Sequence, residues 1–265
     1  MATTKSLGQK NVLDKFYTKK DVALFCISQL DIQDYDMIIE PSAGSGNFSS
    51  QIDGCIAYDI APDGPGIQKQ DFLMLEVDEN MINKKVLVIG NPPFGIQNNM
   101  AIAFFNHSAK FADTIAFILP KSFRKQSIQN KLSLEFSLVQ DIDLNSKSFQ
   151  LNGEDYDVPA IFQIWKRIPR KKEKLIYEVE GIKFVKPDKA DFRIQRVGGN
   201  AGKAFMTTGS TSSNYFIQNR THISNTRLIE LINSLEYEDR DNTVGPRSIS
   251  KPELLLKLKE ILENN

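Results

Sequence analysis

Cysteine and histidine are scarce in this 265-residue chain, which holds two of each: Cys26 and Cys55, His107 and His222. Two thiols are too few for a disulfide framework or a zinc cluster, so a reducing compartment is expected, with a cytoplasmic location. Two imidazoles argue against a His-rich metal site, and no metal is expected. No run of about 18 apolar residues occurs, so neither a transmembrane helix nor a membrane partner is expected. The opening stretch MATTKSLGQKNVLDKFY lacks the apolar centre of a signal peptide. Net charge is absent as well, with 33 basic against 33 acidic residues. What is present is 41% hydrophobic and 25% charged residues, the profile of a globular chain with a real core rather than a disordered one.

The balance of charge does not hold along the chain. Residues 1–168 carry 16 basic and 20 acidic residues, and 169–265 carry 17 and 13. The stretch 166–220 alone has 13 basic against 5 acidic residues. Such an asymmetry suits either a polyanionic partner or a solvated face.

Apolar runs with abrupt ends organise the front part. Met37-Ile38-Ile39 stops at Glu40-Pro41, Cys55–Tyr58 at Asp59, Val86–Ile89 at Gly90-Asn91, and Ile115–Leu119 at Pro120. Short uninterrupted apolar runs read as strands buried on both faces. Helical stretches lie between them, one of them opened by an expected capping box at Thr18–Asp21. The pattern predicts an α/β fold with a mostly parallel sheet and helices on both faces. Runs near 138–144 and 158–165 are expected to pair at one sheet edge. The basic, proline-containing stretch 166–172 marks a domain boundary, giving 1–168 and a small α+β segment, 169–265. In that segment, short strands are expected at 174–179, 182–185 and 192–197. A loop is expected at 198–214, and a final helix after the capping box Ser250–Glu253.

In an open parallel sheet, ligands bind beyond the carboxyl ends of the strands. Here those ends hold a glycine-rich turn, Ser42 to Asn47, expected to present backbone N–H groups at the start of a helix. Asp59, 18 residues after Pro41, can accept from ribose hydroxyls. Asp71-Phe72 can accept from an exocyclic amine and pack on a purine. Asn91-Pro92-Pro93-Phe94 is the most specific element. Its two prolines cannot continue a ladder. They form a rigid turn that aims the Asn91 amide and nearby carbonyls at one point, with Phe94 beside it for stacking.

These motifs, in this order, resemble the S-adenosylmethionine-dependent amino-methyltransferases, specifically the adenine-N6 branch acting on nucleic acid. The resemblance covers residues 12 to about 168. Lys15-Phe16-Tyr17-Thr18 is similar to the N-terminal cofactor motif, which places Tyr17 and Thr18 at the methionine moiety. The stretch Glu40, Pro41, Ser42, Ala43, Gly44, Ser45, Gly46 is similar to the first cofactor motif. Asp59 matches the ribose-binding acid, Ile60 the apolar residue on the cofactor adenine, and Asp71-Phe72 the acid–aromatic pair at that adenine. Asn91, Pro92, Pro93 and Phe94 match the catalytic motif, and Phe149 falls where the family often has a second aromatic.

The resemblance implies a Rossmann-like methyltransferase fold with a seven-stranded sheet and S-adenosyl-L-methionine as cofactor. It implies methyl transfer to the N6 amino group of adenine in DNA. Alternatives are adenine in RNA, a protein glutamine amide, or a non-catalytic binding subunit on the same scaffold.

The rear segment offers Arg193, Arg196 and Lys203 around a Gly- and Ser-rich loop, with Tyr215 and Phe216 after it. Cations interleaved with aromatics suit phosphate contact and base stacking, and the competing reading is an ordinary small sheet. Gly198–Lys203 lacks the spacing of a P-loop, which argues against nucleotide hydrolysis. The segment is small for a sequence-reading domain, which leaves room for a partner subunit that recognises the target.

Overall fold

A computed structural model describes residues 16–151, 153–243 and 245–264. Lys15, the first residue of the N-terminal cofactor motif, lies outside the described residues. Two compact units share the chain. One comprises residues up to 119 together with 135–170; the other comprises 120–134 and 171–265.

The first unit is built on a seven-stranded sheet in the order β4-β3-β2-β5-β6-β10-β7. Its strands are β2 (Met37–Glu40), β3 (Ile56–Asp59), β4 (Gln68–Lys69), β5 (Val86–Gly90), β6 (Thr114–Pro120), β7 (Ser137–Asp143) and β10 (Ala160–Lys166). The run from β4 through β3, β2 and β5 to β6 is parallel, and β10 meets β7 antiparallel. This is a doubly wound, Rossmann-like arrangement of a mostly parallel seven-stranded sheet. Every residue of β5 and β6 is buried, as both-face coverage of uninterrupted apolar runs requires.

Helices α1 (Lys20–Ile27), α2 (Glu79–Ile82) and α3 (Asn99–Ser108) belong to this unit. Helix α1 buries Ala23, Cys26 and Ile27. The capping box expected at Thr18 does not form. Lys19 holds the N-cap position without a side-chain cap, because Thr18 is in strand β1 (Tyr17–Thr18), paired with Phe149. That strand joins β8 (Phe149–Leu151) and β9 (Glu154–Tyr156) in a separate three-stranded sheet, and Phe16 stacks on Tyr156 at 4.9 Å.

The second unit contains the four-stranded antiparallel sheet β11-β14-β12-β13: β11 (Ile182–Phe184), β12 (Phe192–Gln195), β13 (Ala204–Phe205) and β14 (Asn214–Asn219). Its helices are α4 (Gln126–Gln129), α5 (Asn225–Ser234) and α6 (Lys251–Glu263). The expected capping box is complete at α6, where Ser250 and Glu253 exchange bonds. Leu254, Leu255, Leu258 and Ile261 face the core of this unit, together with Leu228 and Ile232 of α5. No strand forms over 174–178, and α5, capped by Ser224, was not legible as a separate element. No helix among the described residues is long and apolar enough to cross a membrane.

Candidate active site

The sheet order places the reversal of chain direction between β2 and β5. From β2 the chain winds outward through β3 to β4, then returns to β5 and continues to β6. Ligands bind at such switch points, outside the carboxyl ends. The ends of three adjacent strands meet there: Glu40 of β2, Asp59 of β3, and Gly90-Asn91 after β5. A cleft at this place is lined by Phe16, Tyr17, Thr18, Glu40, Ser42, Gly44, Asn47, Phe48, Asp59, Ile60, Asn91, Pro92, Pro93, Phe94 and Phe104.

The turn after β2 is clamped by the strand beside it. Asp59 Oδ2 accepts from Gly44 N at 2.7 Å and Oδ1 from Ala61 N at 2.8 Å. Ala43 N donates to the Tyr58 carbonyl at 2.9 Å. Pro41, Ala43 and Gly46 are buried beneath the turn and shape it, whereas Ser42 and Gly44 face the cleft. Gly44 has φ +54°, and a Cβ there would come within 2.8 Å of the Tyr17 ring. Tyr17 covers the glycine, and its hydroxyl donates to Asp63. Gly44→Ala is therefore expected to weaken affinity for the cofactor that the sequence motifs imply by an order of magnitude or more. It should also cost about 1–2 kcal/mol of stability through the left-handed backbone. Calorimetric titration and a thermal melt read the two effects separately.

The expected helix after this turn is absent. Only the short 3-10 segment Ser49–Gln51 follows. Its place is taken by side chains: Glu40 Oε2 accepts from Ser49 N at 2.8 Å, and Asn47 Nδ2 donates to the Thr18 carbonyl at 2.7 Å. Glu40 is only 2% exposed, and burial pushes its carboxyl up to about 7 against the bonds from Ser49 and Phe48, with Asp59 adding to the rise. No Lys, Arg or His is among the described residues that line the cleft. A cleft with two carboxylates and no cationic side chain among its described lining residues is poorly suited to a pyrophosphate but well suited to a positively charged ligand.

The amide of Asn91 is held at one end only. Its Nδ2 donates to the Phe16 carbonyl at 3.1 Å, while its Oδ1, buried, finds no hydrogen-bond partner among the described residues. Thr18 Oγ1, of another residue lining the cleft, is a second buried oxygen without a partner among the described residues. Buried polar atoms are seldom left unpaired, and an unpaired acceptor in a cleft marks where a ligand donor belongs. Phe94 is half-buried against the core, and Ile60 is 54% exposed at the cleft.

Not every expected site residue arrives here. Asp71 caps the short turn Phe72–Met74 by accepting from Leu73 N, and Phe72 is buried against Phe104, with ring centroids 5.4 Å apart. Phe104 stands between Phe72 and the cleft. Phe149 is 1% exposed in the core, where β-pairing with Thr18 turns it inward. In the second unit, Arg193 donates to the Thr207 and Thr208 carbonyls and to Asn214 Oδ1, and lies 4.4 Å above the Phe205 ring. Arg196 donates to the Ser212 carbonyl and Lys203 to that of Asn233. The two arginines brace the loop over 207–212, and Lys203 ties its turn to α5. Phe16, Asn47, Phe48 and Phe104 were not singled out as site residues from sequence. Phe16 and Asn47 adjoin or end motifs that were legible; Phe104 is visible only as part of the buried face of α3.

No protein-family model matches the chain, and no curated protein does either. Partial likenesses occur among solved structures. A "putative RNA methyltransferase" from Pyrococcus horikoshii superposes with a TM-score of 0.46 at 14% identity, over 61% of this chain and 90% of that one. The magnesium protoporphyrin IX methyltransferase of Synechocystis PCC 6803, with bound SAM, gives 0.37 at 14% identity, over 56% and 76%. A Thermoplasma acidophilum protein gives 0.38 at 16% identity, over 57% and 87%.

Proposed function

We propose that the chain transfers a methyl group from S-adenosyl-L-methionine to the N6 amino group of adenine in DNA. The observation that carries this reading is the partnerless, buried Oδ1 of Asn91 on the wall of an acidic cleft at the switch point. The residues present suit the cofactor. Glu40 and Asp59 offer negative charge to its cationic groups, Thr18 Oγ1 an open acceptor, Gly44 close backbone approach under Tyr17, and Ile60 an apolar seat.

When bound, the cofactor supplies an electrophilic methyl on a sulfonium. An adenine amino group is a weak nucleophile because its lone pair is delocalised into the ring. Asn91 Oδ1 and the Pro92 carbonyl accept its two hydrogens, which favours a more tetrahedral nitrogen with its lone pair directed at the methyl. Phe94 stacks on the ring and holds it in register. With the two hydrogens held by Asn91 Oδ1 and the Pro92 carbonyl, in-line displacement would form the C–N bond as the C–S bond breaks, S-adenosylhomocysteine would leave, and the surplus proton of the methylated amine would pass to water. Positioning and electrostatics supply the acceleration.

The order of motifs, cofactor before catalytic, resembles the gamma arrangement of DNA adenine methyltransferases, and on that resemblance DNA is the acceptor proposed first. Offering radiolabelled cofactor to DNA, RNA and peptide pools, then identifying the modified nucleoside or residue, tests the reading. N6-methyladenine in DNA is the expected product; label in RNA or peptide alone would replace the acceptor. Phe94→Ala should lower kcat/KM for the acceptor by about 5- to 150-fold, the worth of one stacked base, with cofactor affinity unchanged. Phe94→Tyr should restore most of it. Contacts between the basic second unit and the nucleic-acid backbone belong to this proposal, as does a partner subunit that adds target recognition.

A further inference from the structure

The prolines at the ends of β2 and β5 leave a carbonyl that the sheet cannot serve. The two strands pair as far as Ile39 and Val88. Beyond that point Pro41, Pro92 and Pro93 have no N–H, and the exchange of ladder bonds cannot continue. The Asn91 carbonyl is nonetheless satisfied, because Ser42 Oγ donates to it at 2.9 Å. Ser42 is half-buried in the glycine-rich turn and lines the same cleft. Its hydroxyl replaces the backbone donor that the prolines remove.

We infer that Ser42 is a positioning residue for methyl transfer, acting through Asn91, and not a ligand of the cofactor. The inference rests on the proposed role of Asn91. Ser42 holds the Asn91 peptide and thereby the direction of the Pro92 carbonyl that follows it. The Phe16 carbonyl holds the other end of the residue, through Nδ2. With backbone and amide nitrogen both anchored, Oδ1 is left pointing at one place. The bond also ties the cofactor turn to the catalytic turn, so the two substrates are registered against each other by one hydroxyl.

The test is a split between kcat and cofactor binding. Ser42→Ala should lower kcat, at saturating cofactor and acceptor, by about 10- to 100-fold, the scale of a misplacement of about 1 Å at a reacting centre. The dissociation constant for S-adenosylhomocysteine and the melting temperature should stay essentially unchanged. Ser42→Thr keeps the hydroxyl and should recover most of the rate. A weaker Kd with kcat preserved in Ser42→Ala would overturn the inference in favour of a cofactor ligand. Full kcat, or an equal loss in the Thr and Ala variants with product binding intact, would also overturn it. Asn91→Ala run alongside separates the two levels: an active Asn91→Ala enzyme removes the reading beneath, whatever Ser42 does.

Discussion

Replacing Asn91 by alanine is expected to reduce methyl transfer by about three orders of magnitude while cofactor affinity survives. The magnitude follows from what the side chain is asked to do. A fixed polar group aimed at changing charge in a dry site is worth about 100- to 1,000-fold when removed singly. Under the proposed mechanism the Asn91 amide oxygen accepts a hydrogen from the nucleophile itself. The substitution also leaves the Phe16 carbonyl without its donor. Asn91→Asp helps to divide the two losses, since it keeps the acceptor but cannot donate to Phe16. Its rate should fall between wild type and Asn91→Ala. Rates under single-turnover conditions, with cofactor titrated separately, check this. An alanine variant at full rate would show that the amide is not part of the chemistry.

Much of this site was legible because strand ends are marked in sequence. Buried parallel strands are plain apolar runs, and the residue that ends each run falls at the carboxyl edge of the sheet. Glu40, Asp59 and Asn91 could therefore be placed together from three short segments far apart in the chain. What could not be read depended on partners distant in sequence. Phe72 looks like an aromatic beside an acid, but Phe104, Phe111 and His107 surround it in the core. Phe149 falls where a second aromatic of the site is expected, but it pairs with Thr18 and is buried in the core. Thr18 itself satisfies the local rule for a helix cap and is drawn into a strand instead, where its hydroxyl is left open toward the cleft. Arg193 carries the charge expected of a phosphate contact, yet its donors meet loop carbonyls that appear only once the chain has turned. Local pattern places the buried parallel strands and their carboxyl edges; it does not decide which side chains the fold consumes internally.

The second large effect is expected at Glu40, where function and stability should part. In the folded chain its carboxyl is raised from 4.5 to about 7, chiefly by burial. A raised acid keeps its proton more tightly folded than unfolded, so the unfolded state binds fewer protons between these values. Stability then falls as pH rises from about 4.5 through 7, and the ionised group is a standing cost above that. The difference corresponds to a ceiling of about 3 kcal/mol. Glu40→Gln abolishes the cost while leaving an oxygen for the Ser49 N–H. It should therefore raise the melting temperature at pH 8 by several degrees, with the gain vanishing near pH 4.5. Cofactor affinity should move the other way. Charge at Glu40 favours a cationic ligand, so wild-type affinity should strengthen as pH rises through 7, and binding there should release protons. Glu40→Gln should bind more weakly and lose that dependence. Thermal melts and calorimetry in buffers of differing ionisation enthalpy read both halves. A variant no more stable than wild type at pH 8 would refute the burial cost. Unchanged cofactor affinity in the same variant would remove Glu40 from the cofactor site and leave its charge without a function to offset what it costs the fold.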